Sequence, residues 1–187
     1  MSIWEIERKY RIPSGEMAAA LLRLLRQARY REDHVHLQRD EYYDTNDNQL
    51  ARLDYTVRLR VENGNSQIAL KGPRKVSGST YSRIELEFSG CGPEQNRSEL
   101  QRRGLEARVI VEKRRTQFVG RHATIALDEV AHLGWFCEVE GSSDDNIDEI
   151  AAQFGLFGLE EVTQNYTELL REARGYPPDR AFRATFE

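Results

Sequence analysis

Hydrophobic and polar residues alternate with a period of two along most of the chain, the mark of β-strands with one buried face. Residues 3–12 open the pattern. Trp4, Ile6 and Ile12 share one parity, and Glu5, Glu7, Lys9 and Arg11 the other. The same alternation predicts strands over 36–45, 54–62, 66–72, 80–88, 108–115, 118–128 and 135–141. Asn63-Gly64-Asn65 predicts a hairpin turn between the third and fourth strands. Elsewhere the period lengthens to that of a helix. Ser14 can cap a helix whose apolar stripe is Met17, Leu21, Leu24, Leu25 and Ala28. Further helices are expected over 94–103, ended by Gly104, over 144–154 and over 164–173. The segment 175–187, with Pro177-Pro178, has little periodicity and is expected to be a loosely ordered tail on a domain spanning 1–174. Eight mostly consecutive strands with a few helices predict a mainly β (α+β) fold. Its core would be a closed or nearly closed eight-stranded antiparallel barrel with helices packed outside.

The polar parity carries the chemistry. A half-buried strand usually turns mixed polar residues to solvent, but here nearly every strand presents ionisable residues on one face. They are Glu5, Glu7 and Lys9, then Arg58 and Arg60, then Lys71, then Arg83, Glu85 and Glu87. Lys113 and Arg115, Asp128, and Glu138 and Glu140 follow. Two architectures fit. In one, the charges form a solvated outer face. In the other, the sheet curls so that the charges look inward and helices cover the outward apolar face. Like charges two residues apart concentrate one sign locally, at an electrostatic cost that a ligand would offset. A passage lined by both signs has a plain use. Lys and Arg neutralise a polyphosphate, and carboxylates are hard oxygen ligands for Mg²⁺ or Mn²⁺.

Composition narrows the picture. The 187 residues are 39% hydrophobic and 31% charged, with a net charge of −4. That balance argues against a general nucleic-acid binder. No apolar run approaches the roughly 18 residues that span a bilayer, and the N-terminus has neither the basic flank nor the apolar stretch of a secretory signal. A cytoplasmic location and no membrane partner are therefore expected. Cys91 and Cys137 form no CxxC pair, so neither a disulfide framework nor a zinc site is expected. His34 and His36 would share a strand face, and His122 and His132 stand alone.

The motifs, taken in order, resemble the CYTH superfamily, the triphosphate tunnel metalloenzymes. Glu5-Ile6-Glu7-Arg8-Lys9 matches the family's ExExK signature. Tyr42-Tyr43-Asp44-Thr45, Val57-Arg58-Leu59-Arg60, Leu70-Lys71-Gly72-Pro73 and Arg83-Ile84-Glu85-Leu86-Glu87 follow. Glu112-Lys113-Arg114-Arg115, Leu127-Asp128-Glu129-Val130 and the run Leu133 to Glu140 complete the series. The resemblance implies an inward charged tunnel. It places Glu5, Glu7, Asp128, Glu138 and Glu140 on a metal side that holds Mg²⁺ or Mn²⁺. It places Lys9, Arg58, Arg60, Lys71, Arg83, Lys113 and Arg115 on the triphosphate side, and it implies catalytic roles for Lys9, Glu85 and Lys113. Arg8 and Arg114 have the opposite parity and are expected on the outer surface.

Three reactions share such a tunnel. A class IV adenylate cyclase converts ATP to cyclic AMP and pyrophosphate, and the chain looks most like proteins of that kind. Inorganic or thiamine triphosphatase activity is the alternative enzyme. A barrel that holds polyphosphate or nucleotide without turnover is the alternative of another class. The expected partner is a small-molecule triphosphate, with the chain a monomer or a homodimer.

Overall fold

The computed structural model describes residues 4–28, 30–33 and 35–186. Ile3 and His34 lie outside the described residues. In chain order the elements are β1 (Trp4–Ile12), α1 (Gly15–Gln27), β2 (Arg31–Glu32), β3 (His36–Asp44), α2 (Gln49–Arg52), β4 (Thr56–Glu62) and β5 (Asn65–Lys71). Then come β6 (Lys75–Ser77), β7 (Thr80–Ser89), α3 (Pro93–Arg102), β8 (Glu106–Val119), β9 (Ala123–Val130) and β10 (Gly134–Gly141). The chain ends with α4 (Asp144–Phe154), β11 (Glu161–Val162), α5 (Tyr166–Arg174) and β12 (Phe182–Ala184).

The strands follow one another in the order β1-β10-β9-β8-β3-β4-β5-β7, and β7 pairs back onto β1. Those eight close an antiparallel barrel, as the alternation predicts. β2, β6, β11 and β12 extend its rims.

Which parity faces in is decided by what covers the other one. Tyr10, Ile12, Phe118, Ile125, Leu127, Cys137 and Val139 pack under α1 and α4 in the largest core. Ser14 starts α1 by accepting a hydrogen bond from the Met17 amide. Leu59 and Val57 pack with Leu100 of α3. The helices thus take the apolar outer faces and leave the charged parity inside. α5 is different. Its Tyr166, Leu169 and Leu170 meet Val109, Val111, Val130 and Phe136, which share parity with the inward charges. The helix therefore caps one end of the barrel with an apolar layer. A capping box joins Asn165 and Glu168 at its start.

Two expectations shift. The break between 108–115 and 118–128 is replaced by one long β8 that turns at 120–122, because Thr116 and Gln117 are ordinary strand residues. Gly120 makes the turn, and a Cβ there would stand 2.5 Å from the Tyr30 ring. The chain after Gly175 is more regular than its composition suggests. β12 pairs in parallel with β8, and Ala184 is buried in the α5 core. Among the described residues no helix is long and apolar enough to cross a membrane.

Candidate functional site

The barrel interior gathers thirteen of the residues whose parity marked them: Glu5, Glu7, Lys9, Arg58, Arg60, Lys71, Arg83, Glu85, Lys113, Arg115, Asp128, Glu138 and Glu140. Burial grades along the passage. Glu87 and Glu140 are exposed at a rim, Glu5, Glu85 and Glu138 are half-buried, and Glu7, Lys9, Lys113 and Asp128 are buried. Arg8 has the outward parity but is buried there, donating from Nε to Thr80 and from its guanidinium to Asp148 at 2.6 Å. Arg114 pairs outside with Glu129 at 2.8 Å.

On β8 and β9 the ion pairs are tight. Arg115 donates to both oxygens of Asp128, at 2.7 and 2.6 Å, and Lys113 Nζ and the Tyr166 hydroxyl donate to Oδ2 at 3.2 and 2.8 Å. Burial opposes the Asp128 charge, but Arg115 and Lys113 outweigh it and hold its carboxyl below the usual range. Asp128 was expected on the metal side. Four donor atoms reach its oxygens, and through them it fixes Arg115 and Lys113 in the interior. Arg115 also donates to Glu138.

Lys113 is pushed down to about 7 by burial and by the Arg115 charge. On the adjoining strands β3 and β4, Arg60 forks onto Asp40 at 2.7 and 2.8 Å. Asp40 is buried, and Arg60 and Arg58 keep its carboxyl far below the usual range against that burial.

On β1, β7 and β5 the carboxylates crowd. Glu5 takes Lys71 at 3.1 Å and Arg83 at 3.1 Å, and these cations outweigh burial and hold it well below the ordinary value. Lys71 also meets Glu85 at 2.8 Å. Glu7 is pushed up to about 7 by burial and by the charges of Glu138 and Glu5. The Tyr81 hydroxyl donates to it, and Lys9 lies 3.9 Å away. Glu85 is also raised, by burial that outweighs Lys71, and Glu140 is raised first by burial and then by the charges of Glu5 and Glu85.

Arg58 has the least satisfied guanidinium of the set. Its side chain is 11% exposed, yet its nearest carboxylate oxygens are at 3.7 Å on Glu85 and 4.0 Å on Glu87. Among the described residues its buried Nε has no hydrogen-bond partner.

Sequence reasoning missed several interior groups. Asp40 shares the parity of His36 on β3 and carries no mark in the sequence, while Tyr42, part of a motif, has no interior role assigned to it there. Tyr166 comes from the capping helix, and only tertiary structure could place it. Its ring lies under the Lys9 and Lys113 ammoniums at 4.7 and 5.3 Å. Arg74 also went unmarked. It ties Asp54 to Glu168 at the start of α5, at 2.7 Å each.

Among the described residues, no group of three acidic, histidine or cysteine side chains is already gathered into a cation cage. The donor set still suits a hard divalent cation. Neighbouring carboxylates raise Glu7 and Glu140 on top of burial, a repulsion that such a cation would relieve.

Comparison with known proteins agrees with this geometry. A model of the CYTH domain matches residues 4–165. A Methanocaldococcus jannaschii protein, provisionally named an adenylate cyclase, is 29% identical over 108 residues. That match covers 58% of this chain and 61% of the relative, so the chain spans less than two thirds of that protein's length. A Vibrio parahaemolyticus structure, provisionally named an adenylate cyclase, superposes with a TM-score of 0.74 at 22% identity, covering 91% of this chain and 99% of that one. A Pyrococcus horikoshii protein gives 0.70 at 26% identity, with coverages of 91% and 99%. A Hippeastrum protein, an adenylyl cyclase by provisional name whose structure is described as revealing a dominant triphosphatase activity, gives 0.74 at 19% identity, with coverages of 95% and 100%.

Proposed function

Because the chain belongs to the CYTH family, whose enzymes generally depend on divalent metals, we propose that it is a metal-dependent adenylate cyclase that holds the triphosphate of ATP inside its barrel. The observation that carries the reading is Arg58, a buried guanidinium with an orphaned Nε in an interior already lined by Lys and Arg. A buried donor without an acceptor is costly, and a phosphate oxygen is the acceptor its fork suits. Arg60, Lys71, Arg83, Lys9, Lys113 and Arg115 would supply the remaining donors. Asp40 and Asp128 would hold Arg60 and Arg115 in place.

Glu5, Glu7, Glu138 and Glu140, with Glu85 beside them, would hold Mg²⁺ or Mn²⁺. The cation would supply charge neutralisation at phosphate oxygens. Lys113, with its pKa near 7, would take up a proton as phosphate oxygens arrive beside Nζ. In the reaction the ribose 3′-oxygen forms a bond to the α-phosphorus as the bond to the β-phosphate bridging oxygen breaks, and pyrophosphate leaves. The cations facing that leaving group would stabilise its charge.

Hydrolysis of inorganic or thiamine triphosphate is the second reading. It is favoured by the α5 cap, which makes the passage blind at one end and suited to enclosing a short triphosphate whole. The activity described for the Hippeastrum relative supports it too. A non-catalytic barrel would keep the phosphate grip without needing the full set of carboxylates.

A product assay separates these readings. With Mg²⁺ or Mn²⁺, ATP should give cyclic AMP and pyrophosphate. Release of orthophosphate from inorganic or thiamine triphosphate, with no cyclic AMP from ATP, would replace the cyclase by a triphosphatase. Binding without any product would leave only a binding barrel.

A further inference from the structure

Glu7 on β1 lies between two partner strands. Its register partner on one side is Glu140 of β10, and on the other it is Tyr81 of β7. Tyr81 is itself paired on both edges, because Val76 of β6 faces it from the side away from β1. It shares the inward parity of Arg83, Glu85 and Glu87, but it brings a phenol to a run of full charges.

Two contacts set its side chain apart from the rest of the interior. The hydroxyl donates to a Glu7 oxygen, and the Arg83 guanidinium lies over the ring, 5.3 Å from its centroid. Arg83 in turn donates from Nε to Glu5 at 3.1 Å. One buried ring thus seats two carboxylates of the first strand, Glu7 directly and Glu5 through Arg83.

The kind of donor matters. Glu5, Asp128 and Glu138 each have a cation within 3.3 Å. Such a cation cancels charge that would attract a divalent ion. At Glu7 the nearest cation among the described residues is Lys9, at 3.9 Å, and the hydrogen bond comes from a neutral phenol. A phenol fixes the direction of a carboxylate without neutralising it, and it takes one of roughly four lone-pair sites. The remaining sites stay open for a metal.

We infer that Tyr81 is a positioning residue for the divalent cation: it aims Glu7 at the ion and, through Arg83, holds Glu5 beside it. The inference rests on the metal side proposed above. Ligating carboxylates are generally held by outer partners of this kind, and losing one weakens metal binding by roughly 10–100-fold. The bond from Tyr43 to Glu41 is the contrast. It is also a buried Tyr–Glu bond, at 3.1 Å, but Arg97 and Arg39 cover Glu41 at 2.7 and 3.2 Å, so that carboxylate has no charge left to offer.

Calorimetric titration of Mn²⁺, with and without inorganic triphosphate, tests the inference. Tyr81→Phe keeps the ring under Arg83 and removes only the hydroxyl. Its Mn²⁺ affinity should fall roughly 10–100-fold, while its metal-free triphosphate affinity and its circular dichroism spectrum stay those of wild type. Tyr81→Leu, which also removes the seat of Arg83, should lose triphosphate affinity as well. Tyr43→Phe should bind Mn²⁺ as wild type does. In a Glu7→Gln background, Tyr81→Phe should have little further effect, because both changes act through one ligand. Unchanged Mn²⁺ affinity in Tyr81→Phe would overturn the inference. So would a further loss of about tenfold in the Glu7→Gln background, or a Tyr81→Phe protein that loses metal and triphosphate affinity alike. A wild type that binds no Mn²⁺ would overturn the metal side and this role with it. The readout is binding, so a protein that turns over none of the triphosphates would remove the proposed enzyme while the Tyr81→Phe loss still upheld this role.

Discussion

On the wall made by β3, β4, β8 and β9, each deep acid faces its own cation. Asp40 receives a fork from Arg60, and Asp128 receives Arg115, Lys113 and the Tyr166 hydroxyl. Both carboxyls are held below their usual range. On the wall made by β1, β5, β7 and β10, carboxylates outnumber close cations. Lys71 serves both Glu5 and Glu85, and Glu7, Glu85 and Glu140 are all raised. Glu138 stands at the seam, on the crowded wall but held low by Arg115 and Lys9 against burial. The two walls use the same residue types to different ends. One is a scaffold whose ion pairs fix cations in place. The other keeps uncompensated negative charge that a divalent cation would neutralise.

The largest expected effect lies on the paired wall. Asp128→Ala leaves Arg115 and Lys113 buried with three bonds lost between them, and breaking such a cluster costs about 3–5 kcal/mol. Urea denaturation should show that loss. A loss under about 1 kcal/mol would mean that the cations are hydrated or repaired elsewhere, and the contrast between the walls would fall.

Glu7→Gln should act in the opposite direction without ligand. The folded protein holds a proton on Glu7 up to about pH 7, whereas the unfolded chain loses it near the ordinary carboxyl value of 4.5. This raised group contributes stability that is complete below 4.5 and is lost as pH rises through 7. Glu7→Gln should therefore be more stable than wild type at pH 8, by on the order of 2–3 kcal/mol, while losing metal-dependent turnover. Equal stability at pH 5 and pH 7 in the wild type would remove the evidence for crowding.

Lys113 gives the pH profile its other limb. Its folded pKa is near 7 against 10.5 in the unfolded chain, so between those values the unfolded state binds the extra proton, and stability rises with pH. The wild-type denaturation midpoint should thus pass through a minimum near pH 7. Glu7→Gln should flatten only the acidic limb. A profile that falls steadily through pH 9 would contradict the Lys113 assignment.

The smallest effect is Tyr166→Phe, which removes one donor from Asp128 and should cost about 0.5–1.5 kcal/mol by the same denaturation measurement. A larger loss would make the α5 cap, rather than the ion pairs, the main support of the paired wall.

Much of this was legible from alternation alone, because a period of two sorts side chains by face whatever the sheet does next. Lys9, Arg58, Lys71 and Lys113 could be assigned to one surface in that way. What parity could not decide is whether that surface was convex or enclosed. Closure depends on β7 returning to β1, a pairing between residues about 80 positions apart that leaves no local trace. The count of consecutive strands pointed to a closed barrel, and the resemblance to a known family supplied the inward direction of the charges. The metal side was harder to read. The resemblance grouped Asp128 with Glu5 and Glu7, but the partners of its carboxylate are set by cross-strand register and by Tyr166 arriving from α5, which leave no local signal. Arg58 was legible as a cation, but its orphaned Nε emerges only once its neighbours' positions are known.

The most direct test of the account is a calorimetric titration of inorganic triphosphate, with Mg²⁺ present, into the wild-type protein and into Arg58→Ala. Arg58 should contribute roughly 1.5–3 kcal/mol of binding, as a charge-assisted hydrogen-bond donor does. The variant's affinity should fall accordingly, while its unliganded melting temperature should change little, because burial offsets most of the attraction that Asp40 and Glu85 give the guanidinium. Unchanged triphosphate affinity together with a lowered melting temperature would contradict the account, since Arg58 would then be a structural residue and the tunnel would lose its principal phosphate grip.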